Sequence, residues 1–469
     1  MPPAPTLTPF FPSHSLLPSL ASFPSSLPSL NPADFKQWWL SSTTDPLHPA
    51  LAFCAGLSAL VWVLGEVTGN VSQVDRLWAV LPLMYSAHFT FWPKLTGAAG
   101  GQLDQRMLLV FGLQVLWSLR LNTNTWRRGF FNPKSEDYRW EVVRAKIPAW
   151  AFKLLNLGFI AITQNILLLA VELPQYLLLT LHLAGTTASP VATALKTAPQ
   201  GFLNPGLNIF DYGLAAVFVV ILVLEMLADN EQQRYQALKA RAVSKGVKGE
   251  KLTEKEQAAV SRGFVTGGLW SWSRHPNFAC EQSTWYILYL FTLLPFAFAS
   301  FTSHSHSPTT ALSAHLPSLK LITHYLTHLP QHLSSGITHL PYLPTTLHEV
   351  AELASSTLHA TLEALPEKQT VVHAAREAYA VLREDEGVYW NYTIWAPLSM
   401  SALFYCSTAL TEWISRQKYP VYKQYQRRVG MFWPPITIVK GFWLALTARR
   451  GKVDRAVWGI GGGEKMKRL

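Results

Sequence analysis

The sequence predicts an all-α membrane protein, a multi-pass helical bundle with about seven transmembrane helices. Charged residues make up only 14% of the 469 residues, whereas hydrophobic residues make up 49%. The apolar residues also cluster into runs, and most of these runs lie near the ~20 residues that a helix needs to cross a bilayer. We therefore expect one membrane-embedded domain rather than several soluble domains.

Seven apolar segments follow a Pro- and Ser-rich stretch. The segment 150–184 is too long for one straight helix and contains Glu172 and Pro174. A kinked helix or a helix with a re-entrant turn is expected there. The stretch 435–447 is shorter, which predicts an interfacial helix or a partial dip into the membrane. The seven segments are 50–67, 75–93, 106–121, 150–184, 208–228, 279–300 and 388–411.

Composition divides the chain into three parts. Residues 1–49 are rich in Pro and Ser and predict a disordered tail. Residues 50–437 predict the membrane domain, and residues 438–469 predict a basic cytosolic tail. Ten of the 15 histidines fall within 301–387, where Ser, Thr and Pro fill the gaps in the first half. Their irregular spacing predicts a low-complexity lumenal insert and no metal site.

The basic residues predict how the protein lies in the membrane. The net charge is +11, and Lys and Arg concentrate in 127–146, in 234–262 and after Arg416. Seven spans place these regions on one side, which the positive-inside rule makes cytosolic, together with the C terminus. Lys465 and Lys467 match the dilysine type of retrieval signal and predict the endoplasmic reticulum. No basic stripe indicates nucleic acid, so the expected partners are membrane lipids.

The densest group of ionisable residues at a membrane edge spans 225–285. Such residues are expensive in a bilayer and indicate function. Arg274 offers a planar fork suited to phosphate, and Pro276 favours a helix start whose free N–H groups suit an anion. Asn277 can donate and accept hydrogen bonds, which suits an amide such as nicotinamide. The alternative interpretation is an aromatic interface belt with snorkelling arginine.

The motif Ser273-Arg274-His275-Pro276-Asn277-Phe278, followed by Glu281, resembles the signature of the steroid 5-alpha-reductase-like superfamily. Within it, the chain is most similar to a branch common in fungi, plants and bacteria. The resemblance covers 50–437 apart from the insert. It implies a membrane fold with an NADPH pocket open to the cytosol, and reduction of a C=C bond in an enone-type steroid or other lipid. The supporting residues are Asp75-Arg76-Leu77-Trp78, Arg120, Glu136-Asp137-Tyr138-Arg139-Trp140, Glu225, Asp229, Glu412, Arg416, Tyr419, Tyr422, Tyr425, Phe432 and Pro434.

The same resemblance implies which residues contact the cofactor. Glu225 departs from the pattern, because the steroid reductases carry a neutral amide there. Their Glu–Tyr acid pair does not align either, so substrate and proton donor stay open. Tyr85 and Glu66, in or near early helices, are the candidate catalytic acids, with a packed helix aromatic as the alternative for Tyr85. The implied cofactor contacts are Arg120, Asp229, Asn277 and Glu281, then Arg274, His275, Arg416, Tyr419 and Tyr422.

Two other classes of function compete with the reductase. Isoprenylcysteine carboxyl methyltransferases have similar C-terminal helices, and an Arg-His-Pro-like segment holds their S-adenosylmethionine. That cofactor carries no phosphate, whereas several arginines favour a phosphorylated one. The other class is a non-enzymatic lipid-binding protein or scaffold, which needs the helices but not the polar group in 225–281. The arginines are Arg120, Arg127, Arg128, Arg139 and Arg274.

Overall fold

The structure is a computed structural model, and it describes residues 16–29, 31–183, 206–248, 252–294 and 391–459. Within these ranges the backbone forms helices joined by turns, and Ser273 and Gly430 form an isolated parallel bridge. The predicted all-α class is therefore confirmed for this part of the chain. The predicted His-rich insert at 301–387 lies outside the described residues.

The amino-terminal segment contains two helices, α1 (Leu16–Ser26) and α2 (Pro32–Trp39). The prediction of a disordered tail over 1–49 is therefore wrong for the described residues from 16 onward. The physical reason is a specific contact that average composition does not reveal. Ser19 is 1% exposed, and its hydroxyl lies 3.2 Å from the hydroxyl of Tyr176, so α1 is anchored to the helical core.

In the part of the chain that the structure describes, each of the seven predicted apolar segments contains helix, and three helices are long and apolar enough to cross a membrane. These are Leu47–Thr68, Ala149–Ala170 and Ile209–Ser244. A turn divides the predicted segment 75–93. The other helices in the described part are too short for a membrane span or carry several polar residues. The count of seven spans stays a prediction. The first helices of the bundle are α3 (Leu47–Thr68), α4 (Gln73–Leu77), α5 (Leu81–Thr96), α6 (Gln105–Arg127) and α7 (Tyr138–Arg144).

The segment 150–184 bends where Glu172 and Pro174 predicted it. It consists of α8 (Ala149–Leu155), a π-helical stretch (Asn156–Thr163), α9 (Gln164–Ala170) and, after a turn at residues 171–172, α10 (Leu173–His182). Pro174 lies in the first turn of α10, where its missing N–H has no cost. The bend leaves Glu172 buried inside the bundle.

The longest helix is α11 (Ile209–Lys248), and it packs against α6 and against the helix Pro276–Phe291, named α13 below. A buried ion pair fixes its first turn. The Nε of Arg106 on α6 lies 2.6 Å from Oδ1 of Asp211, and both side chains are almost inaccessible to solvent. This pair holds the start of α11 against α6.

The remaining helices follow α11 and complete the described part. The predicted basic cytosolic tail, residues 438–469, forms helix up to residue 458, and Val453 and Val457 are buried there against Tyr422 and Tyr425. Its cytosolic position stays a prediction. The Pro434–Leu446 helix is apolar but short, which agrees with an interfacial position. The helices are α12 (Glu254–Arg262), α13 (Pro276–Phe291), α14 (Trp395–Lys418), α15 (Tyr422–Arg428), α16 (Pro434–Leu446) and α17 (Arg450–Trp458).

We predict that Asp211→Ala destabilises the protein by about 3–5 kcal/mol, because it leaves a buried guanidinium without its carboxylate. Thermal or denaturant unfolding of the full chain in detergent measures this loss. The exposed Glu254 on α12 is the control, since Glu254→Ala should change stability by less than about 0.5 kcal/mol. Equal stability of the two variants would contradict the structural role of the ion pair.

Candidate functional site

The sequence motif 273–278 forms the entrance to α13. His275 precedes the helix, and Pro276 occupies its first position. The N–H of Arg274 donates to the carbonyl of Gly430 at 2.9 Å, and the N–H of His275 donates to the carbonyl of Met431 at 3.0 Å. The loop before α16 therefore fixes the start of α13.

The chain passes close to α11 just before the motif, and a glycine makes this close approach possible. Gly268 has a φ of +58°, a conformation that residues with a Cβ rarely adopt. A Cβ at this position would also collide with the carboxyl group of Glu231. The carboxyl oxygen Oε2 of Glu231 accepts a hydrogen bond of 3.0 Å from the N–H of Leu269. The segment is thus connected to α11 before the motif begins.

Four predicted cofactor contacts meet in one group, the Arg120 cluster, which consists of Arg120, Glu225, Asp229, Asn277 and Glu281. Arg120 is its centre. Its Nη1 lies 2.6 Å from Oδ2 of Asp229, and its Nη2 lies 2.7 Å from Oε1 of Glu225. The same Nη2 lies 3.7 Å from Oε2 of Glu281. Side chains from α6, α11 and α13 therefore converge on one guanidinium.

Amide and indole groups complete the cluster. Asn277 donates to Oδ1 of Asp229 at 3.1 Å, and Asn124 donates to Oδ2 at 2.9 Å. The indole N–H of Trp117 lies 3.1 Å from each carboxyl oxygen of Glu281. These contacts orient the carboxyl groups of both residues.

Several buried polar atoms of the cluster have no hydrogen-bond partner within the described residues. They include the acceptor Asn277 Oδ1 and the donor Arg120 Nε, whereas the carboxyl groups of Glu225 and Glu281 lie within hydrogen-bonding distance of each other. Carboxyl groups also outnumber the guanidinium by three to one. An acidic, acceptor-rich group of this kind suits a ligand that brings hydrogen-bond donors or positive charge, and it disfavours a phosphate.

A second group, the Glu412 cluster, lies on the other side of the α13 entrance and consists of Arg274, His275, Glu412, Tyr422 and Gln426. Arg274 binds both oxygens of Glu412, at 2.6 and 2.9 Å. His275 Nε2 lies 3.0 Å from Oε1 of Glu412, Gln426 donates to Oε2 at 2.8 Å, and Tyr422 donates to Oε1 at 3.3 Å. Arg274, His275, Tyr422 and Gln426 all contact this one carboxylate, and Nη1 of Arg274 also donates to the backbone carbonyls of Gln426 and Val429.

Burial opposes the charge of Glu412, but hydrogen bonds from His275 and Arg274 outweigh it and lower the pKa of Glu412 to about 2. Burial lowers the pKa of His275, and the Glu412 contact offsets only part of this effect. Arg274 is already bound to a carboxylate, so its fork is not free for a phosphate. The Glu412 cluster therefore serves to hold the entrance of α13 in place.

Four further predicted site residues are members of neither cluster, although the carbonyl of Tyr419 accepts a hydrogen bond of 2.9 Å from the N–H of Tyr422. Arg416 is exposed on α14, and the Tyr419 ring packs 6.0 Å from the ring of Phe264. Tyr85 is buried and packs edge-on to Phe53, at 5.8 Å between ring centroids. Glu66 accepts a hydrogen bond of 2.8 Å from Asn156. Among the described residues, none of the four hydrogen-bonds to the Arg120 cluster, and their proposed roles stay predictions.

Sequence reasoning missed Trp117 and Asn124 as members of the site. Both lie on α6 close to Arg120, at spacings of three and four residues, which place side chains on the same helix face. That spacing was the available signal. Gln426 gave no comparable signal, because its contact with Glu412 depends on the turn between α14 and α15.

The fold and the two clusters define a helical membrane protein with a buried, acidic polar site. The family model described as "Protein of unknown function (DUF1295)" matches residues 61–306, more than half of the chain, and the chain belongs to this family. The match contains the whole Arg120 cluster, whereas Glu412 lies beyond it. The chain is also 28% identical over 406 residues to the uncharacterised protein C594.04c of Schizosaccharomyces pombe, covering 86% of this chain and 83% of the relative. No solved structure matches.

The low pKa of Glu412 predicts how stability changes with pH. Its ionised form stabilises the fold fully above the ordinary carboxyl pKa of 4.5, and this contribution is lost as pH falls towards about 2. Wild-type unfolding temperature should therefore fall in this window more steeply than that of Glu412→Gln. Unfolding temperatures of the full chain at several pH values test this. Parallel curves for the two proteins would contradict it, and Glu254→Gln serves as the control.

Proposed function

We propose that this protein is an NADPH-dependent membrane reductase of the steroid 5-alpha-reductase-like superfamily, acting on a C=C bond of an apolar lipid. The observation that carries the proposal is the Arg120 cluster. It gathers three carboxyl groups around one guanidinium in a buried site on three helices. Polar groups buried at this cost in a membrane protein indicate function rather than packing.

The residues of the Arg120 cluster fit the nicotinamide end of the cofactor. The acceptor Asn277 Oδ1 has no hydrogen-bond partner among the described residues, and the carboxamide of the cofactor brings a donor. NADPH held here would supply a hydride, and the excess of carboxyl oxygens in the cluster would stabilise positive charge on its nicotinamide ring. The side chain of Asn277 then orients the carboxamide.

The phosphates of the cofactor need a different part of the surface. Arg127 lies two helical turns beyond Arg120 on α6, is exposed, and contacts Asn230 at 2.8 Å. Arg416 is also exposed. Such residues are free to meet phosphate oxygens, whereas Arg120 and Arg274 are held by carboxylates. The proposed cofactor therefore places its uncharged end in the cluster and its phosphates towards the exposed basic residues.

A methyltransferase that uses S-adenosylmethionine is the second candidate, because an acidic cluster also attracts a sulfonium cation. The two chemistries differ in how charge changes. Methyl transfer removes the positive charge of the sulfonium, so the carboxyl groups would stabilise the reactant more than the transition state. Hydride transfer creates positive charge, which the cluster favours. A scaffold that merely binds lipid gains nothing from the buried acceptors.

The proposed reaction has consequences for the partners of the protein and for its orientation in the membrane. Its partners are an apolar, steroid-like or other lipid substrate and the surrounding membrane lipids. Cytosolic NADPH requires the α13 entrance to face the cytosol, as the basic residues indicate. The C terminus then lies in the cytosol as well. The endoplasmic reticulum as the membrane concerned stays a prediction from the dilysine motif.

We expect NADPH to quench the tryptophan fluorescence of the purified full chain, because Trp117 belongs to the proposed pocket. S-adenosylmethionine should produce no saturable change under the same conditions. Titration of both compounds in detergent measures this. Saturable binding of S-adenosylmethionine alone would contradict the reductase and favour the methyltransferase, and binding of neither by folded protein would favour a scaffold.

The variant Asn277→Ala localises the pocket in the same titration. It should weaken NADPH binding about tenfold, the effect of about one lost hydrogen bond. Gln105→Ala is the matched control, since Gln105 is exposed at the opposite end of α6. Unchanged affinity in folded Asn277→Ala protein would show that the pocket lies elsewhere.

A further inference from the structure

A small cavity lies inside the bundle, between α6, the bend before α10, α11 and α13. Its volume is about 10 Å³, close to the space that one water molecule or one hydroxyl group needs. The polar side chains at its wall include Gln114, Glu172 and Thr284, and the apolar ones include Phe218, Trp285 and Leu288. The cavity is therefore an apolar space with a polar end.

The polar end consists of one hydrogen-bonded pair. The amide nitrogen Nε2 of Gln114 donates to Oε2 of Glu172 at 2.9 Å. The other oxygen of each side chain, Glu172 Oε1 and Gln114 Oε1, has no hydrogen-bond partner in the described part of the chain. Glu172 is 1% exposed and Gln114 is 3% exposed, so bulk water does not satisfy these atoms. An unsatisfied buried oxygen costs about 1–3 kcal/mol.

The charge state of the pair decides which ligand it suits. Within the described residues, Glu172 makes no ion pair with a cation. A carboxylate buried without a countercharge is so costly that the neutral acid is the stable form. A proton on Oε1 leaves Oε2 as the carbonyl oxygen, which is the stronger acceptor for the hydrogen bond from Gln114. The pair thus presents one donor, at Glu172, beside one acceptor, at Gln114.

We propose that the Glu172–Gln114 pair binds the hydroxyl end of an apolar lipid. A hydroxyl group accepts from Glu172 and donates to Gln114 at once, whereas a carbonyl or an ether can only accept. The cavity itself has room for the hydroxyl group alone, so the apolar side chains Phe218, Trp285 and Leu288 must move apart to admit the hydrocarbon next to it. No residue of the pair belongs to the Arg120 cluster, so this is a separate binding site.

The position of the pair connects it to the proposed cofactor site. Trp117 borders the cavity, three residues after Gln114 on α6, and its indole N–H contacts Glu281 of the Arg120 cluster. One indole ring therefore separates the two sites. Resting on the proposed function, this neighbourhood assigns lipid alcohols that also carry a C=C bond as the substrate class.

Competition binding tests the proposal, with radiolabelled hexadecan-1-ol as the probe and the full chain in nanodiscs. Unlabelled hexadecan-1-ol should compete about tenfold better than its methyl ether or hexadecane, because only the alcohol makes both hydrogen bonds. Glu172→Leu and Gln114→Leu should each lower the affinity for the alcohol about tenfold. Glu141→Leu, on an exposed position of α7, should leave it unchanged.

Equal competition by alcohol and ether, or unchanged affinity in both cavity variants, would overturn the proposal. Thermal unfolding shows whether each variant is folded. If one of them does not fold, the other still tests the proposal. NADPH titration of the same preparations distinguishes failure of the lipid site from failure of the proposed reductase function. NADPH binding without alcohol binding defeats only the lipid site. Alcohol binding that depends on Glu172, without NADPH binding, defeats the reductase and leaves the lipid site standing.

Discussion

The guanidinium of Arg120 is the contact on which the central part of the structure depends. It binds carboxyl groups from two other helices, with Glu225 and Asp229 on α11 and Glu281 on α13. Charges buried this far from water need close partners, so these ion pairs fix the positions of the three helices relative to one another. The same contact leaves an excess of carboxyl oxygens, and this excess gives the site its chemical character.

A second set of contacts fixes the approach to that site. Arg274 and His275 both bind Glu412, and the backbone of both residues is tied to residues 430 and 431. The start of α13, and with it Asn277, is therefore positioned by a part of the chain far away in sequence. The two arginines of the region have different tasks. Arg120 organises the Arg120 cluster, whereas Arg274 supports the entrance to α13.

Part of this arrangement could be predicted from the sequence, for a physical reason. Ionisable residues at the edge of apolar segments stand out, which is how Asp229 and Glu281 were found, whereas Arg120 was named through the resemblance to the steroid 5-alpha-reductase-like superfamily. The bend at Glu172 was predictable because proline breaks a helix. The pairing of Arg274 with Glu412 was not, since more than a hundred residues separate them and no local pattern connects them. The helices before residue 40 escaped prediction because composition averages over the contacts of single residues such as Ser19.

We propose that the cofactor binds at the acidic Arg120 cluster and that the hydroxyl group of the lipid binds one indole ring away. A structure of the full chain determined by electron cryo-microscopy with NADP⁺ tests this most directly. The account predicts density for the nicotinamide end within hydrogen-bonding distance of Asn277 and the carboxyl groups around Arg120. Nucleotide density at another place, with the contacts of Arg120 unchanged, would contradict it.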